Sequence, residues 1–256
     1  MKCWASSIDG CKGGQSGEHL VTQGLFEGKT AIAGGFRWLR TPLQEVPLTA
    51  LKANILCRDH NSRLSVLDSA AIAVFRTVRE IEAIQARRMT LRPRRIYDVL
   101  SYRLPGPAFE RWCMKTVINI IVALEKTAVW PDGAAASAPP APIVAAVFGR
   151  GRLPAPVGLY FALHPESPVP PGPGVSVAPL FTGVNTVLGA TLSFCSLQLL
   201  VWLSPQAPHQ FGGIEGAPAS FASHPPMLHP RTLRFEIAGS LSQRVTLVWS
   251  GRGHLD

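Results

Sequence analysis

Proline is spread so unevenly along this chain that its two halves cannot share an architecture. Of 23 prolines, five precede residue 129 and 18 follow it. A proline inside a helix removes a hydrogen bond and clashes with the preceding turn. Long helices are therefore confined to the first half, while the second is left with short strands and extended connections. The 256 residues accommodate one sizeable core or two. A hydrophobic fraction of 46% with 16% charged residues suits a globular chain better than a disordered one. The expected class is α+β.

Four segments follow from composition and periodicity. Residues 1–64 are glycine-rich and loop-rich, with little periodicity and many reactive side chains. Residues 65–130 form a helical region. Ser65-x-x-Asp68 has the form of a capping box, which predicts a helix start there. Leu67, Ala71, Val74, Val78, Ile81 and Ile84 then make one apolar stripe up to about Met89, and Pro93 ends the pattern. A second helix is expected over residues 107–127, with Phe109, Trp112, Cys113, Val117, Ile120, Ile121 and Leu124 on a broad apolar face. On that face Cys113 and Trp112 read as core, not as ligand and stacking platform. Residues 131–157 read as an Ala/Pro-rich linker or surface loop. Residues 158–256 form a Pro-interrupted β-rich region, with strand-prone runs at 158–163, 176–181, 186–203 and 233–249. Ala238-Gly239-Ser240 is a candidate turn within the last run.

The run 187–203 approaches membrane-span length, but Thr191, Ser193, Ser196 and Gln198 suit a long strand better. Met1 to Ser6 lack the apolar segment of a secretory signal. The five cysteines are scattered and odd in number, unlike a disulfide framework. The expectation is a cytoplasmic protein with no membrane partner.

Charge is as uneven as proline. Residues 1–128 hold 19 Lys/Arg against 11 Asp/Glu, and residues 129–256 hold 6 against 5. The first half thus suits a polyanionic partner, most simply nucleic acid, or stands as a solvated basic surface. Its densest cationic stretch contains Arg87, Arg88, Arg92, Arg94 and Arg95. Guanidinium clusters bind phosphates through forked hydrogen bonds, and they also end ordinary helices.

Reactive side chains concentrate at Cys57-Arg58-Asp59-His60-Asn61, with Glu18-His19 upstream. Cys3, Cys11, Cys57 and His60 supply the four thiolate and imidazole donors of a structural zinc site. Cys57-x-x-His60 has knuckle spacing, whereas seven residues separate Cys3 from Cys11. In the plainer reading Cys57 is a small buried hydrophobe and His60 a satisfied loop histidine. Glu18 and Asn61 offer oxygen ligands for a hard divalent cation, and His19 a base for activating water. Equally, Glu18 pairs locally and His19 is an ordinary histidine.

At these residues the sequence resembles the HNH endonuclease superfamily. Gly17-Glu18-His19 is similar to the acid–histidine step on that motif's first strand. Asn54-Ile55-Leu56-Cys57-Arg58-Asp59-His60-Asn61 is similar to its "Asn…Leu-Cys-x-x-Cys-Asn" segment, with His60 in place of the second cysteine. Gly34-Gly35 matches the intervening loop. The resemblance covers roughly residues 3–75 and implies a small zinc-braced ββα-metal-like N-terminal module. It further implies His19 as general base, Glu18 and Asn61 as ligands of Mg²⁺ or Mn²⁺, and Asn54 orienting the base. The Phe109-to-Lys115 helix start has no counterpart in that motif.

No phosphate-cradling Gly-x-x-x-x-Gly-Lys motif, dinucleotide fingerprint or nucleophile elbow is present, and His209, His224 and His229 lie among prolines and glycines. The expected function is hydrolysis of nucleic-acid phosphodiesters by an HNH-like endonuclease, on DNA in preference to RNA. The alternatives are a noncatalytic zinc module that binds nucleic acid and a protein-interaction scaffold.

Overall fold

The computed structural model describes residues 3–8, 10–90, 100–124, 128–161, 175–182, 185–194, 197–206, 232–237 and 245–249. The class is mixed α+β, as expected, with small sheets around a few helices.

The first 64 residues hold more regular structure than their weak periodicity suggests. β1 (Gln15–His19), β2 (Thr30–Gly34), β3 (Leu43–Pro47) and β4 (Lys52–Cys57) form two antiparallel pairs, β1 with β4 and β2 with β3. The second hairpin is inserted between the strands of the first. Two-stranded pairs cannot bury a face alone. β4 is therefore backed by α1 (Arg58–Met89) and α2 (Gly106–Leu124).

α1 begins seven residues before the expected capping box. Its N-cap is Cys57, whose sulfur accepts from the His60 N–H at 3.5 Å. The amides of Arg58 and Asp59 donate to the carbonyls of Gly14 and Lys12 at 2.9 and 3.5 Å. Those partners lie over forty residues upstream, so no local motif announces them. Ser65 instead donates to the Ser62 carbonyl inside the helix, and Asp68 turns inward to α2. The stripe itself is as expected: Leu67, Ala71, Val74, Val78 and Ile81 are buried.

β5 (Leu100–Pro105) leads into α2, which is buried on nearly every side. A helix apolar all round belongs at the centre of a fold. α2 touches α1, β4 and strands of the C-terminal region. Cys113 and Trp112 are fully buried, and Trp112 stacks on Phe109 with ring centroids 5.8 Å apart.

The 131–157 segment departs from a simple linker. Its Ala/Pro stretch has exposed positions, but Ala136 is buried and its carbonyl accepts from the Trp130 indole at 3.1 Å. α3 (Ala141–Val147) follows, with proline in its first turn, and buries Ile143, Val144, Ala146 and Val147 against α2. Pro140 and Pro142 do not exclude a helix here, because the first turn has no intrahelical bond for their missing N–H groups to lose.

β6 (Gly158–Phe161), β7 (Val175–Phe181), β8 (Val187–Phe194) and β9 (Leu197–Trp202) form an antiparallel sheet in the order β6-β9-β8-β7. The hydrophobic run 187–203 is thus two paired strands rather than one long strand. Gly189 lies at φ +154°, and a Cβ there would sit 2.0 Å from the Val201 carbonyl oxygen, so close strand approach requires glycine. Pro179 lies on the edge strand, the position in a sheet where proline is tolerated. β10 (Thr232–Ile237) and β11 (Val245–Trp249) pair antiparallel, and β10 also pairs β5, which ties the C-terminal region to the entry of α2. The Ala238–Ser240 turn, His209, His224 and His229 lie outside the described residues. One hydrophobic cluster runs from Cys3 to Leu203 and draws on all four expected segments. No helix among the described residues is long and apolar enough to cross a membrane.

Candidate metal centre and its polar relay

Four donors meet at the N-terminus of α1. Cys3 comes from the first turn, Cys11 from the loop before β1, Cys57 from the end of β4, and His60 from the first turn of α1. Their ligand atoms all lie within 4.8 Å of one another. His60 Nδ1 stands 3.3, 3.6 and 3.3 Å from the sulfurs of Cys3, Cys11 and Cys57. A zinc ion about 2.3 Å from sulfur and about 2.0 Å from nitrogen, with tetrahedral angles, requires an S···N edge of about 3.5 Å. The donor set and its spacing fit such an ion, so this cluster can hold a metal such as zinc. The seven-residue gap between Cys3 and Cys11 is no obstacle, because the intervening chain folds back. Gly13, at φ +78°, closes the Cys11 loop against Arg58, whose Cβ would lie 3.2 Å from an added Cβ.

The electrostatics are mixed. Burial pushes the Cys3 thiol up to about 12, against N–H donors from Cys57 and Ala5. Cys11 is also raised, first by burial. At Cys57 burial raises the pKa too, but the N–H groups of His60 and Lys12 and the neighbouring thiols outweigh it, and the net shift is downward. Peptide N–H groups aimed at sulfur at a helix N-terminus favour thiolate. His60 is fully buried, its ring edge-on to Phe148 at 5.2 Å, while Phe148 also meets Trp4 at 6.0 Å. The end of α3 thus closes the hydrophobic wall of the cluster.

A second constellation lies beside the first, and it contains Glu18. This carboxylate is 5% exposed and ion-paired to Lys115 Nζ at 2.7 Å. The same ammonium donates to both Asp68 oxygens at 2.9 Å. Asn119 donates to Glu18 at 3.2 Å and accepts from the Trp4 indole at 3.0 Å. Thr22 donates to Asp68 at 2.6 Å and accepts from the Trp112 indole at 2.8 Å. The result is a continuous relay, Trp4–Asn119–Glu18–Lys115–Asp68–Thr22–Trp112, joining the first turn, β1, α1 and α2. Burial raises the Glu18 pKa, Lys115 opposes it, and the net shift is upward.

The other expected site residues are spread around this core. His19 sits at its rim, half-buried and opposite Lys52 across the hairpin. Burial first, then Lys52, hold its pKa below the ordinary 6.5. Asn61 donates to Ser16 at 2.8 Å. Asn54 is exposed, near Gly17 on the hairpin, and the asparagine that contacts Glu18 is Asn119. Arg87 is exposed, whereas Arg88 is only 7% exposed. Arg92, Arg94 and Arg95 lie outside the described residues. Sequence reading missed Asp68, Lys115 and Asn119 as a group. The available signal was Lys115-x-x-x-Asn119 in an otherwise apolar helix, since buried polar side chains at that spacing share a face and need partners.

Comparison with protein-family models, with curated proteins and with solved structures finds no match.

Proposed function

We propose that this chain is a zinc-braced nucleic-acid-binding protein, built on an HNH-like hairpin and helix but without a hydrolytic centre of its own. Cys3, Cys11, Cys57 and His60 hold the zinc, which when bound supplies folding energy to the start of α1. The observation that carries the choice against hydrolysis is Lys115. Its ammonium already pairs with Glu18, the carboxylate a divalent cation would need, and is held there by Asp68 as well. The β1–β4 pair running directly into α1 supports the HNH-like scaffold. The positive balance of the first half supports a polyanionic partner, with Lys12, Arg37, Arg40, Lys52, Arg58 and Arg87 exposed.

One observation favours an active endonuclease as a second reading. His19 is half-buried, and burial and Lys52 hold its pKa below the ordinary value, which favours the neutral imidazole a general base needs. In that reading Glu18 and Asn61 would hold Mg²⁺ or Mn²⁺, and Lys115 would have to release Glu18.

The test is plasmid nicking with Mg²⁺ or Mn²⁺ by wild type and His19→Ala, with bound zinc and salt-dependent DNA binding measured on the same samples. Stoichiometric zinc, salt-sensitive binding by both proteins and no nicking are expected. Nicking that disappears in a folded, zinc-loaded His19→Ala would replace the binding reading with the hydrolytic one. Absence of both zinc and binding would remove the two together.

A further inference from the structure

The loop between β2 and β3, residues 35–42, presents an arrangement that neither the metal cluster nor the relay uses. Trp38 is 49% exposed and stacks on Phe36, with ring centroids 5.6 Å apart and planes 24° from parallel. The two rings border a cleft of about 190 Å³ whose wall includes Leu20, Arg37 and Lys52. Among the described residues, no carboxylate pairs with the side chains of Arg37, Arg40 or Lys52. An indole this exposed forfeits much of its burial free energy, and the two cations on the cleft wall, Arg37 and Lys52, have no carboxylate partner to offset their charge. A ligand with a flat π-face and a negative charge would relieve both.

Resting on the nucleic-acid reading above, we propose that this cleft binds an unpaired nucleotide of single-stranded nucleic acid. The base stacks on the open face of Trp38, and the flanking phosphates meet Arg37 and Lys52. Base–aromatic stacking tolerates any base, and cations track the backbone, so the site reads strandedness and not sequence. A duplex keeps its bases stacked on one another and offers Trp38 no free face. Lys52 also stands opposite His19 on the β1–β4 pair, so a strand held in the cleft passes beside the rim of the relay.

Fluorescence anisotropy of the full chain with a labelled oligo(dT) 20-mer and with a 20-base-pair duplex tests this. The variants are Trp38→Ala, Trp38→Phe and Arg37→Gln, with poly-L-glutamate as a competing polyanion. Trp38→Ala should weaken single-strand binding by ~10-fold, the scale of one base–aromatic stack, with duplex binding within about twofold of wild type. Trp38→Phe should recover most of the loss, and Arg37→Gln should flatten the salt dependence. Because Trp38 is half-exposed, an unchanged melting temperature in Trp38→Ala will show that the fold is intact. Single-strand affinity unaffected by Trp38→Ala overturns this proposal alone, leaving nucleic-acid binding in place. Poly-L-glutamate that displaces the oligonucleotide equally in wild type and Trp38→Ala marks a generic cationic patch and also overturns it. Wild type that binds neither nucleic acid overturns this proposal together with the reading beneath it.

Discussion

Lys115 pairs with Glu18, the carboxylate that the sequence offered as an oxygen ligand for a divalent cation. A lysine on a buried helix must keep its charge compensated, and the nearest carboxylates are Glu18 and Asp68. Replacing Lys115 by methionine leaves Glu18 buried and unpaired. Removing one partner of a buried pair typically costs about 3–5 kcal/mol. We expect Lys115→Met to destabilise the protein on that scale in urea unfolding. The double variant Lys115→Met/Glu18→Gln should recover a large part of the loss, since no bare charge then remains. Equal stability of single and double variants would show that Glu18 is not held by this lysine. The residue types were legible from the sequence, but the pairings were not. Glu18 and Asn119 are 101 positions apart, and no local spacing announces their contact.

Among the elements, α1 shows how a tertiary ligand set sets a helix start. Asp59, Asn61 and Ser62 fall in the stretch expected to be loop-rich, and such side chains compete for backbone hydrogen bonds. In the fold, the carbonyls of Lys12 and Gly14 and the sulfur of Cys57 take up the first amides, and the helix begins there. With metal bound, these contacts and the Cys3 turn act as one unit. Chelation should therefore raise amide hydrogen exchange in residues 3–20 and 52–64 while residues 106–124 stay protected, as measured by mass spectrometry. Unchanged exchange after complete metal removal would mean that the cluster needs no ion to hold its shape. The strands β1 to β4 escaped the sequence reading for a related reason. Five- and six-residue strands with one partner each have too few buried positions to display a period of two.

Taken whole, the molecule joins segments that composition had set apart. Residues 141–147 bury α3 against α2, and Phe148 reaches the wall of the metal cluster. Ile143→Ala should consequently cost about 2–5 kcal/mol, the range for truncating a buried isoleucine, seen as a lower denaturation midpoint. A substitution within a tether would cost almost nothing. The amino-acid sequence alone determined the α+β class, the apolar stripes of α1 and α2, the burial of Cys113 and Trp112, the strand-prone runs of the second half and the four donors of the metal cluster. These are properties of periodicity, residue chemistry and proline's fixed φ, which act over a few neighbours. Only the tertiary structure decided that Cys3 and Cys11 meet Cys57 and His60, that Lys115 stands between Glu18 and Asp68, and that the 131–157 segment enters the core. Each depends on bringing together side chains far apart along the chain, and the free energy that selects such contacts, burial and charge compensation, exists only once the elements have packed.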